Sequence, residues 1–227
     1  MAWVTVGTAA QWNVTDAELR NVAQYRLMEN AGADAGTVAW FTTMFTPTQF
    51  LNALDQRQKM FMKETGAIVT RATNGAAVNQ QRYALPTDWI ATRRLTFAGA
   101  DGKKYSLFRT DAYQLDQGMS DWNYTSGAPY TFHESTLPTL QVEIAPAPND
   151  IGTMGILYVA LPTTLDGSGV KLTIPDEFAP YVLYGALADL LGQDGEGKDL
   201  KRAAYCEQRY AMGVELAKAM IRGAATQ

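Results

Sequence analysis

Hydrophobic periodicity changes twice along this chain, and that change limits the folds open to it more than any other feature. The first third reads as helical. Thr15-Asp16-Ala17-Glu18 has the pattern of a capping box, in which the Thr15 hydroxyl accepts from the third helical amide and Glu18 reaches back. Leu19, Val22, Ala23 and Leu27 follow at helical spacing, and Gly32 and Gly36 interrupt. A second start lies at Thr46-Pro47, where Thr is a good N-cap and Pro needs no partner for a missing N–H. Phe50, Leu51, Leu54 and Phe61 then form an apolar stripe that Gly66 stops.

From Ile68 to Ala160 the chain favours short strands. Ala67 to Thr73 is extended in character, and Asn74-Gly75 is a hairpin signal with Gln81 to Leu85 as the expected return strand. Ile90 to Phe97 and Lys104 to Phe108, joined across Gly99, Asp101 and Gly102, predict a second hairpin. Asp111 to Asp116 predicts one or two helical turns. Tyr130 to His133, Leu140 to Ile144 and Met154 to Ala160 are further strand candidates. Pro129, Pro138, Pro146, Pro148 and Pro162 bound them, since proline cannot donate into a central ladder. Helices return with Phe178 to Leu191, a loop over Gly192 to Gly197, and a long helix over Lys198 to Arg222 striped by Leu200, Ala203, Cys206, Tyr210, Val214, Ala217 and Ile221. The order helices, strands, helices predicts an α+β fold: an antiparallel helical bundle from the N- and C-terminal segments with a β-rich insertion. The expected division is a helical body of residues 1–66 plus 174–227 and an insertion domain of 67–173.

Composition excludes several classes. At 227 residues with 47% hydrophobic and 19% charged side chains, the chain buries a core and is not disordered. A net charge of -4 is not that of an ordinary basic nucleic-acid binder, and no third of the chain is an electrostatic tail. One cysteine and one histidine leave no disulfide framework and no Cys- or His-rich metal site. No apolar run reaches the roughly 18 residues of a membrane span. The N-terminus has no basic region followed by an apolar stretch, so no signal peptide is expected.

The candidate chemistry is thin. Gly192-Gln193-Asp194-Gly195-Glu196-Gly197-Lys198 matches the first seven positions of a phosphate-binding loop, but Asp199 replaces the magnesium-binding Ser or Thr, and a helix precedes it instead of a strand. A glycine-rich turn between two helices is the better reading. His133 and Glu134, adjacent on a strand, point to opposite faces and make a poor dyad. Cys206 lies on an apolar stripe and reads as a small buried hydrophobe. No pair of acids stands out as acid and base, and no catalytic residue, metal ligand or cofactor is assigned. Arg93-Arg94 with Lys103-Lys104 reads as a solvated hairpin whose two arginines alternate faces. Trp122, Tyr124, Tyr130 and Phe132 raise an aromatic-lined glycan-binding module as an alternative.

The segment Arg82-Tyr83-Ala84-Leu85-Pro86-Thr87-Asp88-Trp89, followed by the Ile90 to Phe97 strand, resembles the head–tail adaptor proteins of tailed bacteriophages. The likeness continues in order through Gly127-Ala128-Pro129-Tyr130, Glu143-Ile144-Ala145-Pro146-Ala147-Pro148, Gly155 to Pro162, Ile174-Pro175-Asp176-Glu177-Phe178, Val182 to Ala188 and Arg202-Ala203-Ala204-Tyr205, over roughly residues 67–215. The resemblance implies a non-enzymatic structural protein of the virion neck, assembled in the host cytoplasm. It implies a homo-oligomeric ring, typically of twelve subunits, docked on the portal protein. Such a ring extends the channel for genomic DNA and gives the tail or nozzle protein a place to attach. Another neck or tail-completion protein is the nearest alternative. The portal-docking candidates are Lys218, Arg222 and Gln227, in a C-terminal tail expected to order on binding. Arg93, Lys103, Lys104, Trp122 and Tyr124 are candidates for tail or neighbour contacts. The acidic balance fits a channel through which DNA passes without being held.

Overall fold

A computed structural model describes residues 4–5, 13–27, 44–100, 102–135 and 140–225, with side chains for all but 4–5 and 222–225. The chain forms two compact units, one from Val69–Ala160 with the strand Val4–Thr5, the other from the described residues on either side of that span.

The first unit is a sheet. Its strands are β1 (Val4–Thr5), β2 (Val69–Ala76), β3 (Arg82–Ala84), β4 (Trp89–Gly99), β5 (Lys104–Arg109), β6 (Ser126–Gly127), β7 (Thr131–Ser135), β8 (Gln141–Ala145), β9 (Ala147–Pro148) and β10 (Gly152–Ala160), with one short helix, α3 (Ala112–Gly118). Among the described residues eight strands make one curled, mixed sheet in the order β1-β2-β10-β4-β5-β7-β8-β3, while β6 and β9 pair separately. β5 and β7 run parallel; every other neighbour in the large sheet is antiparallel. Alternation decides what is buried. Leu95 faces Leu107 and Ile156 in register, and with Phe97, Ile144 and Met154 they fill one face.

The second unit holds α1 (Asp16–Arg26), α2 (Pro47–Thr65), α4 (Ala179–Gly192) and α5 (Leu200–Ala225). Both expected N-terminal caps form, at Thr15 with Glu18 and at Thr46 with Gln49, and Gly66 ends α2 in the left-handed conformation at φ 60°. α4 packs against α2 and α5. Gly185 lets them close: a Cβ there would lie 2.8 Å from the Tyr210 ring and 2.9 Å from Arg57 Cδ. Between β10 and α4 the chain has little regular structure, so its backbone groups must find other partners. Asp16, fully buried, accepts from the Gly167 and Gly169 amides at 2.7 and 3.0 Å. Asp55 accepts from Leu165 N at 3.2 Å. Gln58, also fully buried, donates to Thr163 O and accepts from Thr173 N.

The expected helical bundle with inserted strands is not what forms. The β-structure is a large mixed sheet with its own core, and helices account for the other unit. Strand pairing is the physical reason. β2 does not turn back at Asn74-Gly75; both residues sit inside the strand, opposite Met154 and Thr153 of β10. The turn comes later, at Asn79 with φ 59°. β3 then pairs with β8 instead of β2. These pairings join strands far apart in sequence, which builds a sheet and not a string of local hairpins. The Lys104 hairpin does form, with Leu95 opposite Leu107.

Candidate interaction surfaces

In the helical unit a buried guanidinium ties three helices together. Arg57 on α2 donates through Nε to Asp189 Oδ2 on α4 at 2.7 Å and through Nη1 to Glu207 Oε1 on α5 at 3.0 Å. Its plane lies over the Tyr210 ring, 4.9 Å from the centroid. The hydrogen bond Arg57 donates to Asp189 raises the Arg57 pKa further above its already high ordinary value, and burial raises that of Tyr210. This arrangement fixes α5, one face of which carries Cys206, Tyr210, Val214 and Ala217 inward. Burial also raises the Cys206 thiol pKa, in keeping with an inert small hydrophobe. An adjoining flank of the helix exposes Tyr205, Met212, Leu216 and Met220, a row at helical spacing. Lys218 lies on the other flank of α5 and donates to Glu215 at 2.9 Å. Arg222 lies in the last turn of α5, and Gln227 lies outside the described residues. The tail expected to be unstructured from Gly223 is helical as far as Ala225.

In the sheet unit, Arg93 and Arg94 are both exposed, contrary to the expected alternation. The register explains it. Leu157 pairs with Arg94 and Tyr158 with Thr92, so Arg93 is the extra residue of a β-bulge. The bulge keeps Thr92 and Leu95 inward and turns two successive arginines to solvent. Lys103 and Lys104 are exposed beside them on the same hairpin.

Trp122 and Tyr124 part company. Trp122 is 5% exposed; its Nε1 donates to Asp116 at 2.7 Å and its ring meets His133 edge-to-face at 5.5 Å. Leu115 and Ala145 complete that small core under α3. Tyr124 is 92% exposed. The two therefore make no shared aromatic platform. His133 faces Glu143, with Nε2 3.7 Å from Oε2, while Glu134 pairs with Arg109 across the sheet. The glycine-rich segment Gly192–Lys198 is a turn between α4 and α5: Lys198 Nζ binds Asp194, and Asp199 caps the α5 amides of Lys201 and Arg202. Among the described residues no three His, Cys, Asp or Glu are placed to hold a metal ion, and no helix is long and apolar enough to cross a membrane.

Sequence reasoning missed Arg57, whose partners lie 132 and 150 residues away. Its signal was an arginine on the apolar side of a helix, next to Leu54 and Phe61. It also missed Arg71, which stands across one strand from Arg94.

Among the described residues, each of the two units carries exposed side chains over a core of its own. The family model for the SU10 adaptor protein matches residues 17–226, and the chain belongs to that family of bacteriophage structural adaptors. No curated protein sequence matches the chain.

Proposed function

We propose that this chain is a ring-forming adaptor of the virion neck that docks on the portal, extends the DNA channel and gives the tail its attachment site. The match to the SU10 adaptor family over residues 17–226 is the observation that carries this reading. The surfaces fit it. A closed ring needs two different lateral faces on each subunit, and the exposed Tyr205–Met220 row of α5 supplies an apolar face of the kind a neighbouring subunit covers. Lys218, Arg222 and Gln227 lie at the end of the chain proposed to meet the portal. Arg93, Lys103, Lys104 and Tyr124 are exposed and are proposed for neighbour or tail contacts; Trp122, buried under α3, is not available for one. The channel-lining face is proposed to be neutral or acidic, so that DNA passes without phosphate contacts that would slow it.

The test is cryo-EM and mass measurement of the chain mixed with its own portal. A ring of twelve copies seated on the portal is expected, and a chain lacking residues 219–227, cut just beyond the buried Ala217, is expected to fold but not to dock. A chain that stays free, or that docks equally well without those residues, counts against the assignment. A lumen coated with lysine and arginine counts against the channel.

A further inference from the structure

One face of the sheet is charged in a way the rest of the molecule is not. The four adjoining strands β2, β10, β4 and β5 contain Arg71, Arg93, Arg94, Lys104 and Arg109 and no aspartate or glutamate, in a chain of net charge -4. Arg109 is paired with Glu134. Among the described residues Arg71, Arg93, Arg94 and Lys104 have no carboxylate within ion-pair distance.

The register shows how they are grouped. Leu157 of β10 lies opposite Arg71 on one side and Arg94 on the other, so two guanidinium side chains flank one leucine that is 37% exposed. Neighbouring strands lie about 4.8 Å apart, which puts the two arginine backbones about 10 Å apart. Two residues along β10, Gly155 lies opposite Thr73 and Thr96, and Thr96 opposite Ser106. The Thr96 hydroxyl leans over Gly155 and donates to its carbonyl at 3.1 Å, and a Cβ on Gly155 would come within 2.9 Å of that oxygen. A cleft of about 300 Å³ opens there, lined by Arg71, Arg94, Lys104, Thr96 and Ser106.

We infer that this sheet face is a docking site for an acidic polypeptide segment, whose carboxylates meet Arg71 and Arg94 and whose apolar side chain covers Leu157. Charge complementarity selects the sign of the partner. Guanidinium forks match carboxylates two bonds at a time. A protein is favoured over nucleic acid for two reasons. An exposed leucine stands at the centre of the patch, where a phosphate backbone would gain nothing. The unpaired cations are three arginines to one lysine, as at protein interfaces, where arginine is enriched and lysine depleted. The inference rests on the sheet alone and holds whether or not the chain docks on a portal.

The experiment uses the full chain and a fluorescein-labelled peptide rich in Asp and Glu with one central leucine, read by fluorescence anisotropy, with a 20-base-pair DNA duplex as the competing probe. Saturable, salt-sensitive peptide binding is expected. The double variant Arg71→Glu/Arg94→Glu should weaken it by about tenfold or more. Leu157→Ala should weaken it by about threefold. The control Lys63→Glu/Lys201→Glu, with the same charge change on the other unit, should stay within about twofold of the parent. Thermal melting confirms that each variant folds; these side chains are all exposed. Absence of saturable peptide binding overturns the inference. So does equal weakening by the control pair, or tighter binding of the duplex that the double variant abolishes.

Discussion

The two units of this molecule satisfy their buried backbone in different ways. In the sheet, ladder hydrogen bonds take up the N–H and C=O groups, and the core behind them is a continuous set of aliphatic and aromatic side chains. In the helical unit, the segment from Leu161 to Ile174 has almost no ladder, and side chains from α1 and α2 do that work. Asp16, Asp55 and Gln58 are buried polar groups because irregular backbone lies over them. Each of these three buried polar side chains thus serves a nearby segment without regular structure.

Paired substitutions break that comparison most sharply. Ile156→Ala removes a fully buried side chain from the sheet and should cost about 4 kcal/mol in denaturant unfolding. Asp16→Ala strips two amides of a charged acceptor and should cost about 3 kcal/mol. The places affected should differ. Hydrogen exchange should quicken at Gly167 and Gly169 in the Asp16 variant and along β4 and β10 in the Ile156 variant. Identical exchange profiles would mean the two regions do not differ as described. A smaller effect sharpens the same contrast. Thr46→Ala removes a capping box from α2 and should cost about 1 kcal/mol; a loss of several kcal/mol would show that this cap also holds tertiary structure.

Alkaline pH gives the smallest effect, with one tyrosine in each unit. Burial holds Tyr158 and Tyr210 above the ordinary value of 10.0, with Asp88 adding to the shift of Tyr158. Their native values are raised, so the stability they contribute is complete below pH 10 and is lost as pH rises beyond it. The melting temperature should fall between pH 10 and 12, and more gently in Tyr158→Phe or Tyr210→Phe. An unchanged slope in both variants would show that these hydroxyls do not titrate against folding.

Local rules were legible in the sequence; partners were not. The caps at Thr15 and Thr46 and the stop at Gly66 involve residues within one helical turn, and their signals hold. Asn74-Gly75 carries an equally strong local signal for a turn, yet pairing with β10 along the whole of β2 outweighs it. Asp16 was visible as part of a capping box, but its partners at Gly167 and Gly169 lie 151 and 153 residues on. Among the candidate contact residues, Arg93 and Lys104 face solvent as residue type suggests, while Trp122 is buried because Asp116 and His133 come together around it. Arg71 and Arg94 look unrelated in sequence and become neighbours only through the placement of Leu157.

The bulge at Arg93 also bears on how this strand tolerates changes in length. Because Arg93 has no partner of its own on β10, removing it leaves Arg94 opposite Leu157 and Thr92 opposite Tyr158, a ladder regular from Ala91 to Gly99 with every inward side chain still inward. Removing a residue between Leu95 and Phe97 instead would shift the alternation and turn core side chains out to solvent. Arg93 is therefore a position where β4 can lose one residue and keep its alternation, as is Ile90, which the second register shift leaves without a partner on β10.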